Sequence, residues 1–383
     1  MRQIKSVAII CGGIHFLVDF CCAFFMFSMA LQIKDFYIGF LLYNFLAFAL
    51  QMPVGLIADR VKKNGYVAAY GCLLVMGALL CLFVSPEKPV VLWIGLSLAG
   101  MGNCLFHVGG GIEVMESSGG KVTPLGIFVS PGAIGIFLGT MLGRKEALPP
   151  LLLAEVLLGS AILLFYYAKE KKKPVHVTCF GEKDEQDVKE QTIKVVSVKE
   201  NAVRLYAMIA GAIACFFLVV VFRSYLGMIA DFPWKNTMQA GVLVLTAVFG
   251  GKVAGGFVAD KMGIMKACVI PLLTATVLFA GSNMMWAGIL AMFFFNMSMP
   301  LTLYLAAKLL KGQNGFAFGI LTFGIFIGFL PAYAGYDFCD RRILMALSAV
   351  SLVLLCVGIG CYTGIYRSQK LKGMSGKREE EVV

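Results

Sequence analysis

Charged residues are scarce in this 383-residue sequence. Asp, Glu, Lys and Arg make up 14% of it, against about 25% in average soluble proteins, whereas apolar residues reach 59% against about 45–50%. This shortage of polar surface excludes a soluble fold and predicts an integral membrane protein. The strand-like alternation of a β-barrel is also lacking. The apolar runs are continuous and about 20 residues long, which favours helices.

Histidine is rare as well, with three residues, and the twelve cysteines include no Cys-x-x-Cys pair and no Cys/His spacing typical of a metal site. Most cysteines lie inside apolar runs, where a thiol behaves as a small hydrophobic group. No nucleophile–base pair stands out. We therefore expect no metal, no cofactor and no enzymatic activity.

The formal net charge of +11 would suggest a nucleic-acid partner in a soluble protein. Here the basic residues lie between apolar runs and in the tail, so no basic face is left for a phosphate backbone. With both termini cytoplasmic, 24 of the 33 Lys and Arg residues fall on the cytoplasmic side, as the positive-inside rule expects. We predict no nucleic-acid partner and a multi-pass protein in the lipid bilayer of the plasma membrane, such as a bacterial inner membrane.

One short pattern occurs twice. Gly55-Leu-Ile-Ala-Asp59-Arg60 returns 201 positions later as Gly256-Phe-Val-Ala-Asp260-Lys261, in each case at the end of an apolar run. A repeat of about half the chain length is typical of a transporter built from two similar halves.

The predicted fold is an all-α integral membrane protein with twelve transmembrane helices in two pseudo-symmetric six-helix bundles. Each helix covers roughly 18–26 residues, enough to cross about 30 Å. We place them at 6–29, 36–58, 66–84, 90–114, 122–142, 148–168, 203–229, 237–259, 265–282, 284–308, 314–336 and 343–366. The predicted domains are an N-terminal bundle (1–168), a charged cytoplasmic linker (169–200), a C-terminal bundle (201–366) and a cytoplasmic tail (367–383).

Several motifs resemble a known superfamily. The Gly-x-x-x-Asp-basic loop after helices 2 and 8 is similar to the signature of the major facilitator superfamily. A narrower set resembles fosmidomycin-resistance-type efflux proteins, and it comprises His15-Phe16-x-x-Asp19, Gln51-x-Pro53-x-Gly55, Gly102-x-x-x-Phe106-His107-x-x-Gly110, Arg223-Ser224 and Pro300. That group usually has Pro where this chain has Val108, and drug/proton antiporters commonly have Arg where this chain has Leu96. The resemblance implies the major facilitator fold and proton-driven transport of a small, often anionic compound.

Four titratable residues are candidates for proton coupling. His15 lies near the predicted midplane of helix 1, and Asp19 follows four residues later on the same face. An imidazole and a carboxylate in this arrangement can hold and pass a proton, or simply tie helix 1 to a neighbour. His107 in helix 4 has the same two interpretations, and Glu113 lies closer to the cytoplasmic end.

Two cations also fall inside predicted helices. Arg223 in helix 7 could clamp a carboxylate or phosphonate of a substrate, or pair with Asp19 when no substrate is bound; alternatively, it could snorkel to the outer interface. Lys252 corresponds to Gln51 in the repeat, and we expect it to reach the cytoplasmic interface.

The repeated signature also suggests gating. Asp59 and Asp260 lie where the N-terminus of a helix from the other half could approach, and a carboxylate stabilises such a helix end. Latches of this kind would open and close as the halves rock; alternatively, the basic residues merely hold the loops inside. The predicted gating set is Gly55, Asp59, Arg60, Gly256, Asp260 and Lys261.

Other polar and small residues within the helices complete the candidates. Tyr43, Asn44, Asn103, Asn296 and Tyr304 could line a substrate cavity together with Arg223, Asp19 and His107, or bond to neighbouring helices. Glycines spaced four apart in helices 5 and 11 predict close helix packing, with a proline kink at Pro131.

The function predicted from these residues is proton-coupled efflux of a small organic, anionic compound by a monomeric secondary transporter. Its partners are then a small-molecule substrate and protons. Two alternatives stay open. A proton-coupled uptake symporter or facilitator would use the same charges, and a non-transporting ligand sensor could use the same fold.

Overall fold

The computed structural model describes residues 2–29, 36–84, 88–170 and 192–380. Every regular element within these ranges is helical. Twelve helices of membrane-spanning dimensions, numbered α1 to α12, cover Arg2–Ser28, Phe36–Val61, Asn64–Val84, Pro89–Ser117, Thr123–Gly143, Pro150–Glu170, Thr192–Ile229, Met238–Met262, Ile264–Ala280, Met285–Leu309, Asn314–Tyr333 and Arg341–Glu380.

The length and composition of these helices agree with the predicted spans. Eleven are long and apolar enough to cross a membrane, and α9 is an apolar helix of 17 residues, or about 25 Å. The predicted ends lie within three residues of the apolar spans. The predicted linker falls largely on 171–191, outside the described residues, and from Thr192 the chain already belongs to α7. The predicted tail continues the backbone of α12 to Glu380.

Packing follows the two halves of the chain. In the first half α1 lies against α4 and α5, and α3 lies against α4 and α6. In the second half α7 packs on α11 and α12, and α10 packs on α8 and α9. The halves meet along two seams, α2 with α11 and α5 with α8.

Glycines allow the closest of these contacts. A side chain at Gly135 or Gly139 of α5 would overlap the backbone carbonyl of Phe16 or Phe20 in α1. Gly319 of α11 is in the same position against the carbonyl of Gln51 in α2. The predicted packing role of both glycine stripes is confirmed, since helix axes can approach this closely only where Cβ atoms are missing.

Helix α5 is interrupted in the middle of the membrane. Its two parts, Thr123–Val129 and Pro131–Gly143, are separated at Ser130, which confirms the predicted proline kink. Helix α2 contains a π-helical segment, Phe45–Ala49, and α10 breaks between Asn296 and Met299. These two irregularities were not predicted. The break in α5 matters most for the site, because it frees backbone carbonyls.

Candidate functional site

Three titratable side chains meet in the core of the N-terminal half. His15 and Asp19, one turn apart on α1, lie with His15 Nε2 3.1 Å from Asp19 Oδ2. His107 of α4 brings its Nε2 to 2.8 Å from His15 Nε2 and 3.6 Å from Asp19 Oδ1. All three residues are buried. We call this cluster the His–Asp–His triad.

Backbone carbonyls fix the tautomer of both histidines. His15 Nδ1 lies 2.6 Å from the carbonyl of Phe128, and His107 Nδ1 lies 2.8 Å from the carbonyl of Asn103. A carbonyl oxygen can only accept, so each Nδ1 must carry a hydrogen. In the neutral rings both Nε2 atoms then present lone pairs, and they face each other beside the Asp19 carboxylate. Three acceptors at this distance need one added cation.

The spacing fits a proton better than a metal ion. Within the described residues, the triad is the one group of donor atoms close enough together to hold a metal. A tetrahedral ion with bonds of about 2.0–2.1 Å would separate its ligands by about 3.3 Å. The two imidazole nitrogens are 2.8 Å apart, an ordinary hydrogen-bond length. The sequence did not reveal this arrangement, because the two histidines come from different helices.

Asn103 holds Asp19 in place, and Gly132 leaves room for it. Asn103 Nδ2 donates to Asp19 Oδ1 at 2.9 Å, and this contact gives the predicted cavity residue Asn103 a clear partner. Gly132 of α5 leaves the space that the triad occupies, because a Cβ there would overlap Asp19 Oδ2 and His15 Nε2. The triad therefore depends on a glycine from a third helix.

The break in α5 links the triad to the other half of the protein. Pro131 has no N–H to donate to the Ile127 carbonyl, and the regular helix is interrupted at Ser130, between the two parts of α5. Side chains take over: Ser130 Oγ donates to the Ile127 carbonyl at 3.3 Å, and His15 Nδ1 donates to that of Phe128. The third carbonyl, that of Val129, accepts from Lys252 Nζ of α8 at 3.4 Å. One turn of α5 thus contacts the triad and a lysine of the C-terminal half.

Lys252 therefore does not reach the cytoplasmic interface as we expected from the sequence. Its side chain points across the α5–α8 seam, toward the Val129 carbonyl at the break in α5. Lys252 also lies within electrostatic range of Arg223 and Asp19.

Arg223 likewise turns into the protein. Its Nη1 is buried and has no hydrogen-bond partner among the described residues. This placement does not fit snorkelling, which would carry the guanidinium to water. Arg223 as a whole is half-buried, and an unpaired donor of a charged group away from water is costly.

Both signature aspartates bind helix ends of the opposite half. Asp59 of α2 accepts from the backbone N–H groups of Gly315 and Phe316, at the start of α11, at 2.7 and 2.9 Å. Asp260 of α8 accepts from the N–H groups of Val122 and Thr123, at the start of α5, at 2.8 and 2.9 Å. The two contacts are equivalent in the repeat.

The glycine of each signature makes these contacts possible. A Cβ at Gly55 would overlap the carbonyl of Gly315, and one at Gly256 would lie 2.8 Å from Thr123 Cα. A glycine four residues before an aspartate therefore lets the helix end approach the carboxylate. Arg60 and Lys261, in the predicted gating set, are exposed and do not take part in either contact.

The remaining candidates take no direct part in the hydrogen bonds of the triad. The amides of Asn44 and Asn296 donate to the carbonyls of Phe40 and Met292, one turn back. Tyr43 is half-buried, and its environment includes Cys22 and Asp19. Tyr304 packs below Lys308, within electrostatic range of Asp260 near the cytoplasmic end. Glu113 is buried six residues beyond His107, about 9 Å along α4, beside Gly65 at the start of α3.

Sequence reasoning missed a contact at the end of the α2–α11 seam that lies away from Asp59. Tyr37 of α2 and Tyr333 of α11 stack with ring centroids 3.8 Å apart. Tyr37 Oη donates to the Tyr333 carbonyl at 2.6 Å, and Tyr333 Oη donates to the carbonyl of Tyr37. The pair borders a small aromatic pocket that also contains Phe40 and Phe329. No motif marks these tyrosines.

Comparison with known proteins identifies the family. The model of the Major Facilitator Superfamily matches residues 10–333. The chain belongs to the major facilitator superfamily. Among solved structures it is similar to a single-residue variant of the E. coli fucose:proton symporter, with a TM-score of 0.64, 14% identity and coverage of 92% of this chain and 98% of that one. It is also similar to a bacterial homologue of the iron transporter ferroportin in its outward-facing state (TM-score 0.58, 14% identity, coverage 95% and 99%).

The predicted fold is therefore confirmed: this superfamily member has the all-α, two-bundle major facilitator fold. No curated protein sequence matches it significantly. The resemblance to the fosmidomycin-resistance branch stays a prediction, and the two solved structures, at 14% identity, bear on the fold alone.

Proposed function

We propose that this superfamily member is a proton-coupled secondary transporter of a small organic anion, and that proton and anion bind together. The main support for this proposal is the triad, because its three acceptors require one added proton. Asp19 of the triad lies within electrostatic range of Lys252. Lys252 in turn lies in range of Arg223, whose Nη1 is unpartnered. Charges inside a membrane protein mark ion and substrate pathways.

The sign of the charges supports symport. A proton on the triad neutralises Asp19, which otherwise attracts Lys252 and competes with an anion for it. Protonation therefore strengthens anion binding, and by linkage the bound anion strengthens proton binding. Besides Asn103 of α4, the groups within electrostatic range of the triad in this scheme are Cys22 of α1, Tyr43 of α2 and Lys252 of α8. Helix α5, which packs against it, contributes no titratable side chain.

The two aspartate contacts supply the gate. Asp59 and Asp260 hold the cytoplasmic ends of both seams closed. Release of the helix ends that they cap would let the two bundles rock apart on this side and open the central site to the cytoplasm. Gly55 and Gly256 belong to the same gate, since they allow the approach. We place the protein in the plasma membrane as a monomer with both termini cytoplasmic.

Efflux, our first expectation from sequence, remains the second candidate, supported by the resemblance to export proteins. In an antiporter, proton and anion would exclude each other. The sensor alternative has less support, since a sensor needs neither an alternating gate nor a coupling proton.

Anion-driven proton movement separates these possibilities. Right-side-out vesicles containing the pH dye pyranine receive a panel of small carboxylates and phosphorylated metabolites. A symported anion acidifies the lumen of wild-type vesicles and leaves it unchanged with Asp19→Asn. Asp231→Asn, the same change at an exposed residue outside the site, should behave as wild type.

Two results would contradict the proposal. Acidification by Asp19→Asn equal to the wild type would remove the triad from coupling. Alkalinisation of the lumen on anion entry would mean that protons leave as the anion enters, which is antiport and not symport.

A further inference from the structure

Lys252 and Arg223 form an uncompensated pair of cations. Neither makes an ion pair with a carboxylate among the described residues, and Lys252 Nζ has one long bond, of 3.4 Å, to a backbone carbonyl. The Asp19 carboxylate in range of Lys252 is already held by Asn103 and the histidines. With the triad proton balancing Asp19, two positive charges remain.

The internal repeat provides a comparison. Gln51 stands at the position in α2 that Lys252 occupies in α8, 201 residues later. Its amide donates to the carbonyl of Ala47 in its own helix at 2.6 Å, and it is fully buried. Its Oε1 is buried and has no hydrogen-bond partner among the described residues, so a neutral side chain fills this position without satisfying every polar atom. The repeat nevertheless accommodates this position without a charge, so packing alone does not explain the charge of Lys252.

We propose that Lys252 and Arg223 together bind the transported anion, and that this anion carries two negative charges. This inference rests on the proposed function and names the charge of its cargo. Arg223 offers a planar donor set suited to a carboxylate or phosphoryl group, and Lys252 offers a compact charge.

The Val129 carbonyl is the partner of Lys252 that the anion would replace. It keeps Lys252 Nζ partnered, and the anion takes over when it arrives. Because Phe128, the preceding residue, holds His15, binding at Lys252 and protonation at the triad act on one turn of α5. Lys252 is thus a specificity residue that also contacts the coupling element.

Sulfate is a suitable probe because it is small and doubly charged throughout the neutral range. The thermal transition of the full-length protein in nanodiscs is measured against sulfate concentration, with chloride at equal ionic strength as reference. We expect sulfate to raise the transition temperature of the wild type. In Lys252→Met, the sulfate concentration needed for half of this effect should be at least about tenfold higher. Lys252→Arg keeps the charge and should bind close to wild type. Lys308→Met, which removes an exposed charge, should have no effect.

Equal effects of sulfate and chloride on the wild type would overturn the assignment, as would an unchanged sulfate response in Lys252→Met. Loss of the sulfate response in Lys252→Arg would show that the charge at position 252 is not sufficient for binding, and this part of the assignment would be overturned. No proton gradient is used, so this result and the Asp19→Asn vesicle result can fail independently.

A second set of titrations distinguishes the chemical class of the dianion. Succinate and phenyl phosphate are each tested as competitors of sulfate, and the singly charged monomethyl ester of each is tested for comparison. The stronger competitor assigns the carboxylate or the phosphoryl class. Competition by a monoester equal to that by its dianion would overturn the requirement for two charges.

Discussion

Asp59→Asn should loosen both cytoplasmic latches, although it alters only one. Asp59 accepts two backbone N–H groups at the start of α11 and faces the positive end of that helix. Asn retains one acceptor oxygen and no charge. Hydrogen bonds to charged groups contribute about 1.5–3 kcal/mol each, and Asp59 is only half-buried, so we expect a loss of about 2 kcal/mol. At about 1.4 kcal/mol per factor of ten, the open population rises about 30-fold.

Hydrogen exchange at the two capped helix ends measures this change. If the latches open in one rocking motion, amides at both Gly315–Phe316 and Val122–Thr123 exchange faster in Asp59→Asn, by similar factors. Asp260→Asn should give the reciprocal result. Faster exchange confined to the α11 end would mean that Asp59 is a local cap, and the gate would be refuted.

Three further predictions concern the centre and the outer side. Gly132→Ala should abolish coupled transport, because its Cβ overlaps the triad, whereas Gly159→Ala, in open space, should transport normally. Pro131→Ala removes the ring that interrupts α5, so the helix can continue through Ser130 and the Gly132 N–H can compete with His15 for the Phe128 carbonyl. Proton flux in vesicles should fall at least about tenfold, and unchanged flux would contradict the role of the break. Tyr37→Phe with Tyr333→Phe removes two hydrogen bonds worth about 1–2 kcal/mol in total. Exchange of the amides at 334–336 should rise about tenfold, and no change would show that stacking alone holds the outer side.

The helices and the contacts of Asp59 and Asp260 with helix ends were predictable because each rests on a local pattern. A run of apolar residues as long as the membrane is thick defines a transmembrane helix. The Gly-x-x-x-Asp pattern contains both parts of the contact, a glycine that lets a helix end approach and, one turn later, the carboxylate that binds it. The His15–Asp19 pair was predictable from its i, i+4 spacing.

The direction of Lys252 was not predictable, because it depends on the Val129 carbonyl at the break in α5, 123 positions earlier in the chain. The histidine tautomers depend on the same break and on the carbonyl of Asn103. The Tyr37–Tyr333 contact joins residues 296 apart with no shared motif. Each of these features arises where helices meet in three dimensions.

The shared proton of the triad is the central claim, and nitrogen NMR of the histidine rings tests it most directly. The chain has three histidines, so His176→Gln leaves His15 and His107 as the only labelled rings. We predict a hydrogen on each Nδ1 and one proton shared between the two Nε2 atoms, lost as a shared signal in Asp19→Asn. A neutral ring with its hydrogen on Nε2 and a bare Nδ1, in either residue, would contradict the account.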